Sequence, residues 1–168
     1  MVVLDDLPIK VSSLEEAAKF RRMAGEHDEL FVLTNGCFDL LHAGHLYFLE
    51  QAAALGGHLW VALNSDASVR KLKDASRPVQ GQLERAYALL SLRSVSGVTF
   101  FDAERLVPEI KVLSPDVYAK AGDYSLETID QDERAALDGI GAEIRFLPLL
   151  KGFGTTKLLE RIKSLPEA

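Results

Sequence analysis

The 168-residue sequence predicts an α/β protein, a doubly wound parallel sheet of about five strands forming a single domain. Two observations predict it. Short apolar runs bounded by Gly, Pro, Asn or Asp alternate with longer stretches whose apolar residues recur every three or four positions, the patterns of buried strands and of helices. No internal repeat, low-complexity tract or linker interrupts the alternation, and strands alternating with helices imply a parallel sheet covered on both faces.

The elements follow in order. SLEEAAKFRRMAG (13–25) is expected to be a helix, with Ser13 and Glu16 at capping-box spacing. LFVLTN (30–35) reads as the first strand, and GHLYFLEQAAALG (44–56) as a helix stopped by Gly56. HLWVALN (58–64) is the second strand, followed by helical DASVRKLK (66–73) and LERAYALLSLRS (83–94). GVTFF (97–101) is the third, and in AERLVPEIKVL (103–113) Pro108 predicts a break or a start near Val107. DVYAK (116–120) is the fourth strand, ETIDQDERAALDGIG (127–141) a helix stopped by Gly141, AEIRFLPLL (142–150) the fifth strand, and TTKLLERIKSL (155–165) the last helix. A core over 30–165 is thus expected behind an N-terminal helical extension over 1–26. The amphipathic pattern from Leu14 to Met23 suggests a homodimer contact there.

Composition narrows the function. The chain is 48% hydrophobic and 26% charged, ordinary for a folded domain. Its net charge of −6 argues against a nucleic-acid partner, because phosphate backbones are held by summed Lys and Arg. Arg70, Lys71, Lys73, Arg77 and Arg85 nevertheless form a local basic patch, suited to a small anionic ligand. A single cysteine, Cys37, forbids an internal disulfide, and MVVLDDLPIK is no signal peptide. A cytoplasmic protein with no membrane partner is the expectation.

Ligands of doubly wound sheets bind outside the carboxyl ends of the strands, here just after Leu33, Leu63 and Tyr118. Asn35, Gly36 and Cys37 follow the first strand, where backbone N–H groups can face a ligand. His42 and His45 fall at the start of the next helix with Gly44 between them, sharing one face. A helix N-terminus attracts anions, and two imidazoles there add directional donors, so an oxyanion cradle is the favoured reading. The rivals are a cap plus a core histidine, a metal site drawing on His58, Asp39 and Cys37, and a Cys37 nucleophile. Asp39 is expected to cap the turn or orient a histidine, a structural role.

TNGCFDLLHAGH, LNSDASVRKLKDASRPVQ, LERAYALLSL, AKAGDY and GFGTTKLLERI stand in one order along nearly the whole chain. That series resembles the nucleotidyltransferase superfamily with the HxGH motif, the cytidylyltransferase-like proteins of Rossmann-like fold. Within it the chain is similar to the adenylyltransferase domains that make ADP-heptose from D-glycero-D-manno-heptose 1-phosphate. The resemblance implies that Thr34, Asn35, Gly36, Cys37 and Phe38 line the triphosphate and acceptor phosphate. It implies that His42 and His45, with Gly44 between them, hold nucleotide phosphates as charge builds. Lys73, with Lys71, would reach phosphate oxygens, and Arg85 would help hold the pocket. Gly122 and Asp123 would lie by the nucleotide, and Gly154, Thr155 and Thr156 would meet phosphates at a second helix N-terminus. It implies ATP as substrate, Mg²⁺ held mainly by the phosphates without a protein metal site, and a separate sugar kinase supplying the acceptor.

The chain departs from the pattern at three places. Gly154 stands where Ser is usual before the two threonines, and Ala121 where Gly is common. Leu149 stands near the place of an arginine that the resemblance leads one to expect in glycerol-phosphate cytidylyltransferases. Transfer from CTP, adenylylation of flavin mononucleotide, and a nucleotide-binding subunit without turnover remain the alternatives.

Overall fold

A computed structural model describes residues 3–122 and 124–166. Five parallel strands, β1 (Phe31–Gly36), β2 (His58–Asn64), β3 (Gly97–Phe101), β4 (Val117–Ala121) and β5 (Glu143–Leu147), form one sheet in the order β3-β2-β1-β4-β5. The chain winds outward from β1 through β2 to β3, then returns to place β4 and β5 on the other side of β1. This is the doubly wound Rossmann-like arrangement, with its switch point between β1 and β4.

The helices are α1 (Leu14–Glu26), α2 (Ala43–Ala53), α3 (Asp66–Leu72), α4 (Gln82–Leu90), α5 (Val107–Leu113), α6 (Gln131–Ile140) and α7 (Thr155–Lys163), after a short 3-10 turn at Leu4–Asp6. Successive strand residues face opposite sides of a sheet, and the core divides accordingly. Phe31, Leu33, Trp60 and Tyr118 pack against α1, α5 and α6, with Leu113 and Leu137 among their neighbours. Val32, Val61, Val98 and Ala119 pack on the other face against Phe48 and Leu49 of α2 and Leu89 of α4.

Ser13 caps α1 by accepting from the Glu16 N–H while Glu16 bonds back to the Ser13 N–H, as the capping box predicts. The helix is not an appendage, however. Ala17 and Ala18 are buried in the core with Phe31 and Trp60, and Arg21 reaches the Ser114 carbonyl and Asp116. The apolar face read as a dimer contact is therefore occupied by the chain's own sheet.

Pro108 sits in the first turn of α5, which starts at Val107 as the sequence suggested. The fifth strand ends at Leu147 rather than Leu150, because Pro148 cannot donate to a sheet ladder. The sixth helix starts at Gln131, with Asp130 as its N-cap, rather than at Glu127. Among the described residues no helix is long and apolar enough to cross a membrane.

Candidate active site

A cleft of about 1030 Å³ opens at the carboxyl ends of the strands. Its floor is the end of β1 and the turn after it, lined by Thr34, Asn35, Gly36, Cys37, Phe38 and Asp39. The N-terminal ends of two helices open onto it, α2 with His42, Gly44 and His45, and α7 with Gly154, Thr155 and Thr156. Lys73 at the end of α3 and Lys120 at the end of β4 add two cations.

His42 is the N-cap of α2, and its Nδ1 accepts from the His45 N–H at 3.3 Å. A neutral imidazole that accepts at Nδ1 carries its proton on Nε2, and that buried Nε2 has no partner among the described residues. It is a donor without an acceptor, at the positive end of a helix. The two rings stack with centroids 3.9 Å apart, and the His45 Nδ1 also lacks a partner. Burial, followed by the neighbouring His42, pushes His45 down to about 4. Burial lowers His42 as well. Both rings are neutral near pH 7, so the free cleft offers directional groups and helix dipoles there rather than imidazolium charge. Gly44 leaves room between them, since a Cβ would stand 3.1 Å from the His42 ring and 3.1 Å from the Phe153 Cβ, close enough to push the ring by a few tenths of an ångström.

The turn after β1 is held from behind. Arg85 is fully buried, and its guanidinium donates to the Cys37 carbonyl at 2.6 Å, the Gln80 carbonyl at 3.1 Å and Asp66 Oδ1 at 2.7 Å. It is absent from the cleft lining and supports the pocket from behind rather than facing a ligand. Asp39 also acts as a brace. Its Oδ1 accepts from the Val79 and Gln80 N–H groups at 2.7 and 3.1 Å, and Oδ2 meets Arg77 Nε as an ion pair at 2.5 Å, without hydrogen-bond alignment. The role is structural as expected, yet it neither caps the turn nor orients a histidine; it pins the segment that follows Lys73.

The basic patch read from the sequence shrinks accordingly, because Arg77 and Arg85 are each matched by a carboxylate. Lys71 lies on the exposed last turn of α3, outside the cleft lining. Gly122 is absent from the lining too, being packed against the Leu147 carbonyl, and Asp123 lies outside the described residues. The Cys37 thiol is pushed up by burial, which opposes the thiolate a nucleophile needs.

Four residues at or beside the cleft lie outside the sequence reading of the site. Asn64, at the end of β2, lies 3.8 Å from the Cys37 sulfur and donates to Ser68, fixing the start of α3. Lys120, Tyr118 and Glu133 form a buried polar cluster beside Asn35. A charged residue ending the apolar run DVYAK was the signal available for it.

A doubly wound sheet whose switch-point cleft is walled by two helix N-termini, a histidine pair and lysines defines an α/β protein with a cleft suited to anions. A family model described as cytidylyltransferase-like matches residues 33–163. The chain belongs to this family of nucleotidyltransferases. It is 44% identical over 148 residues to the bifunctional protein HldE of Koribacter versatilis (strain Ellin345), covering 88% of this chain and 29% of that protein. The bifunctional protein HldE of Geotalea uraniireducens (strain Rf4) is 38% identical over 159 residues, covering 95% of this chain and 32% of the relative. The chain thus spans less than a third of the length of these curated relatives. Among solved structures, the lipopolysaccharide core biosynthesis protein from Thermoplasma volcanium GSS1 superposes with a TM-score of 0.61 at 21% identity, covering 74% of this chain and 99% of that one. A pantoate-beta-alanine ligase from Francisella tularensis gives 0.60 at 10% identity, covering 91% and 76%. These two likenesses concern the fold alone.

Proposed function

We propose that the chain transfers AMP from ATP to a sugar 1-phosphate of the D-glycero-D-manno-heptose type, releasing pyrophosphate and giving ADP-heptose. One observation carries the reading: the N-termini of α2 and α7, the histidine pair and Lys73 converge on a single cleft at the switch point. The motif resemblance and the likeness to bifunctional proteins HldE support the choice of nucleotide and acceptor.

In this reaction an oxygen of the sugar phosphate attacks the α-phosphorus of ATP. The bond from that phosphorus to the bridging oxygen breaks, and its electron pair leaves with pyrophosphate. Two anions must meet, so the protein's task is alignment and charge neutralisation, with no covalent enzyme intermediate. The His42 Nε2–H, His45 and the first turn of α2 meet oxygens of the reacting triphosphate. Lys73, also in the lining, meets phosphate oxygens. Gly154, Thr155 and Thr156 receive phosphates at the start of α7, where no side chain caps the helix. The backbone of Thr34 to Phe38 forms the floor.

Mg²⁺ fits as part of the triphosphate substrate. Three of the cleft carboxylates already have cationic partners, Asp39 with Arg77, Asp130 with Arg105 and Glu133 with Lys120, and among the described residues no three ligand-type side chains gather as a metal site. Bound with the substrate phosphates, the ion would supply charge neutralisation there. A sugar kinase supplies the acceptor.

The test crosses ATP and CTP with heptose 1-phosphate, glycerol 3-phosphate and flavin mononucleotide, reading pyrophosphate release by the purified protein. Release with ATP and heptose 1-phosphate alone is expected. Release in another cell of the grid replaces the substrate assignment, and bound nucleotide without release in any cell replaces the enzyme with a binding subunit.

A further inference from the structure

The β1–β4 ladder stops at Leu33 and Tyr118, whereas β1–β2 pairing continues to Gly36 and Leu63. The sheet therefore parts at its switch point, and side chains cross the gap. The Lys120 ammonium donates to Asn35 Oδ1 at 2.7 Å. The Tyr118 hydroxyl lies 2.9 Å from the same oxygen and 3.2 Å from Glu133 Oε2. Glu133 Oε2 stands 3.7 Å from the ammonium, while Oε1 accepts from the Leu106 N–H at 2.9 Å. Lys120, Tyr118 and Glu133 are 8%, 0% and 4% exposed.

Such a cluster is a poor way to stabilise a sheet. Burying an ion pair costs several kcal/mol per ion, and apolar residues of similar volume usually serve stability as well or better. The cluster does fix one thing. An ammonium has only donors, so the amide atom of Asn35 that faces Lys120 is the oxygen, and the NH2 group is turned away from it. Asn35 lines the cleft, and its NH2 has no protein partner among the described residues.

We propose that Lys120, with Tyr118 and Glu133, is a positioning group that holds the Asn35 carboxamide so that its NH2 donates to a phosphate oxygen of the bound substrate. The inference rests on the adenylyltransferase reading. Lys120 spends its charge on the amide oxygen, which polarises the N–H bonds turned toward the ligand. Glu133 balances that charge and, through the Leu106 N–H, ties the cluster to the start of α5. The phosphate belongs either to the triphosphate or to the acceptor, and the test separates the two.

The side-chain amide of Asn35 is followed in ¹H–¹⁵N spectra and assigned by its absence in Asn35→Ala. Mg²⁺ with α,β-methylene-ATP is added in one arm and the sugar 1-phosphate alone in the other. In the wild type and in Lys120→Arg the amide pair is expected to shift with one of the two ligands, which identifies the source of the phosphate. In Lys120→Met the shift is expected to vanish while the ligand still binds. In kinetics, Lys120→Met and Asn35→Ala should each lower kcat about 100-fold, as loss of a preorganised donor does, with KM little changed and Lys120→Arg partly restored. Because one residue acts through the other, the double variant should be no slower than the slower single. Should Lys120→Met fail to fold, Tyr118→Phe keeps the packing and must still lower kcat and weaken the amide shift. An Asn35 amide that ignores both ligands, or losses that multiply in the double variant, overturns the proposal. Absence of turnover in the wild type would instead overturn the adenylyltransferase reading, with the spectra still deciding the role of Lys120.

Discussion

Replacing Asp39 by asparagine exchanges one oxygen for an NH2 group in a side chain that is 3% exposed. In the wild type one oxygen serves the Val79 and Gln80 N–H groups and the other faces the Arg77 guanidinium. An asparagine has a single acceptor atom, so either the two N–H groups or the guanidinium then faces a donor. With the oxygen kept on the loop backbone, Arg77 loses its counter-charge inside the protein. Breaking a buried pair costs about 3–5 kcal/mol. The Arg77 side chain keeps 18% of its exposure, so about 2–3 kcal/mol is expected for Asp39→Asn. Asp39→Ala also removes the acceptor of two N–H groups and should reach about 4–5 kcal/mol. Urea unfolding followed by the fluorescence of Trp60, which is buried, reads this directly. With a slope of about 2 kcal/mol per molar, Asp39→Asn should lower the midpoint by about 1–1.5 M. Lys73 hangs from the same segment, so the KM for the triphosphate should rise too. Adding Arg77→Met should recover part of the loss, since the stranded charge is gone. A midpoint within about 0.3 M of the wild type with an unchanged KM refutes the brace.

Other outcomes follow from the histidine pair and its surroundings. His42→Ala and His45→Ala should each lower the kcat for pyrophosphate release by about 10²-fold or more at saturating substrates, as loss of an oxyanion donor does, and retention of full activity in both contradicts their role. The folded protein holds His45 at about 4 against an ordinary value of 6.5, chiefly through burial. The unfolded chain therefore takes up that proton first. The stability contributed by the neutral ring is complete above about pH 6.5 and is lost as pH falls toward about 4, a change of about 2–3 kcal/mol with His42 acting in the same direction. Urea midpoints at pH 7 and 4.5 should differ more for the wild type than for His45→Gln, and parallel behaviour contradicts the assignment. Gly44→Ala places a Cβ where the His42 ring and Phe153 already stand at 3.1 Å. It should slow turnover at least about tenfold while leaving the melting temperature nearly unchanged, since alanine itself favours the helix by about 0.5–1 kcal/mol; steady-state rates beside a thermal scan check it.

The sheet and most helices were legible because each strand and helix announces itself locally. TNGCFDLLHAGH sits where a strand ends and a helix begins, and period alone places His42 and His45 on one face. Long-range pairing was not legible. Arg85 looks like any arginine on an amphipathic helix, and only the fold brings it to the Cys37 carbonyl 48 residues away. The brace at Asp39 spans 40 residues to Val79, and Lys120 and Asn35 meet across 85. The apolar stripe of α1 is a related case: it shows that a face is covered, not by what. The fifth strand ran long in the reading because LPLL is apolar, although Pro148 ends the ladder.

The most direct test of the account is which bond of ATP breaks. Phosphorus-31 NMR of the wild-type protein with Mg²⁺, ATP and heptose 1-phosphate should show free pyrophosphate together with a sugar-linked nucleotide diphosphate, appearing in equal amounts as ATP disappears. ADP with a newly phosphorylated sugar, or ADP with inorganic phosphate, would mean attack at the γ-phosphorus and would contradict a cleft built to meet charge at the α-phosphorus.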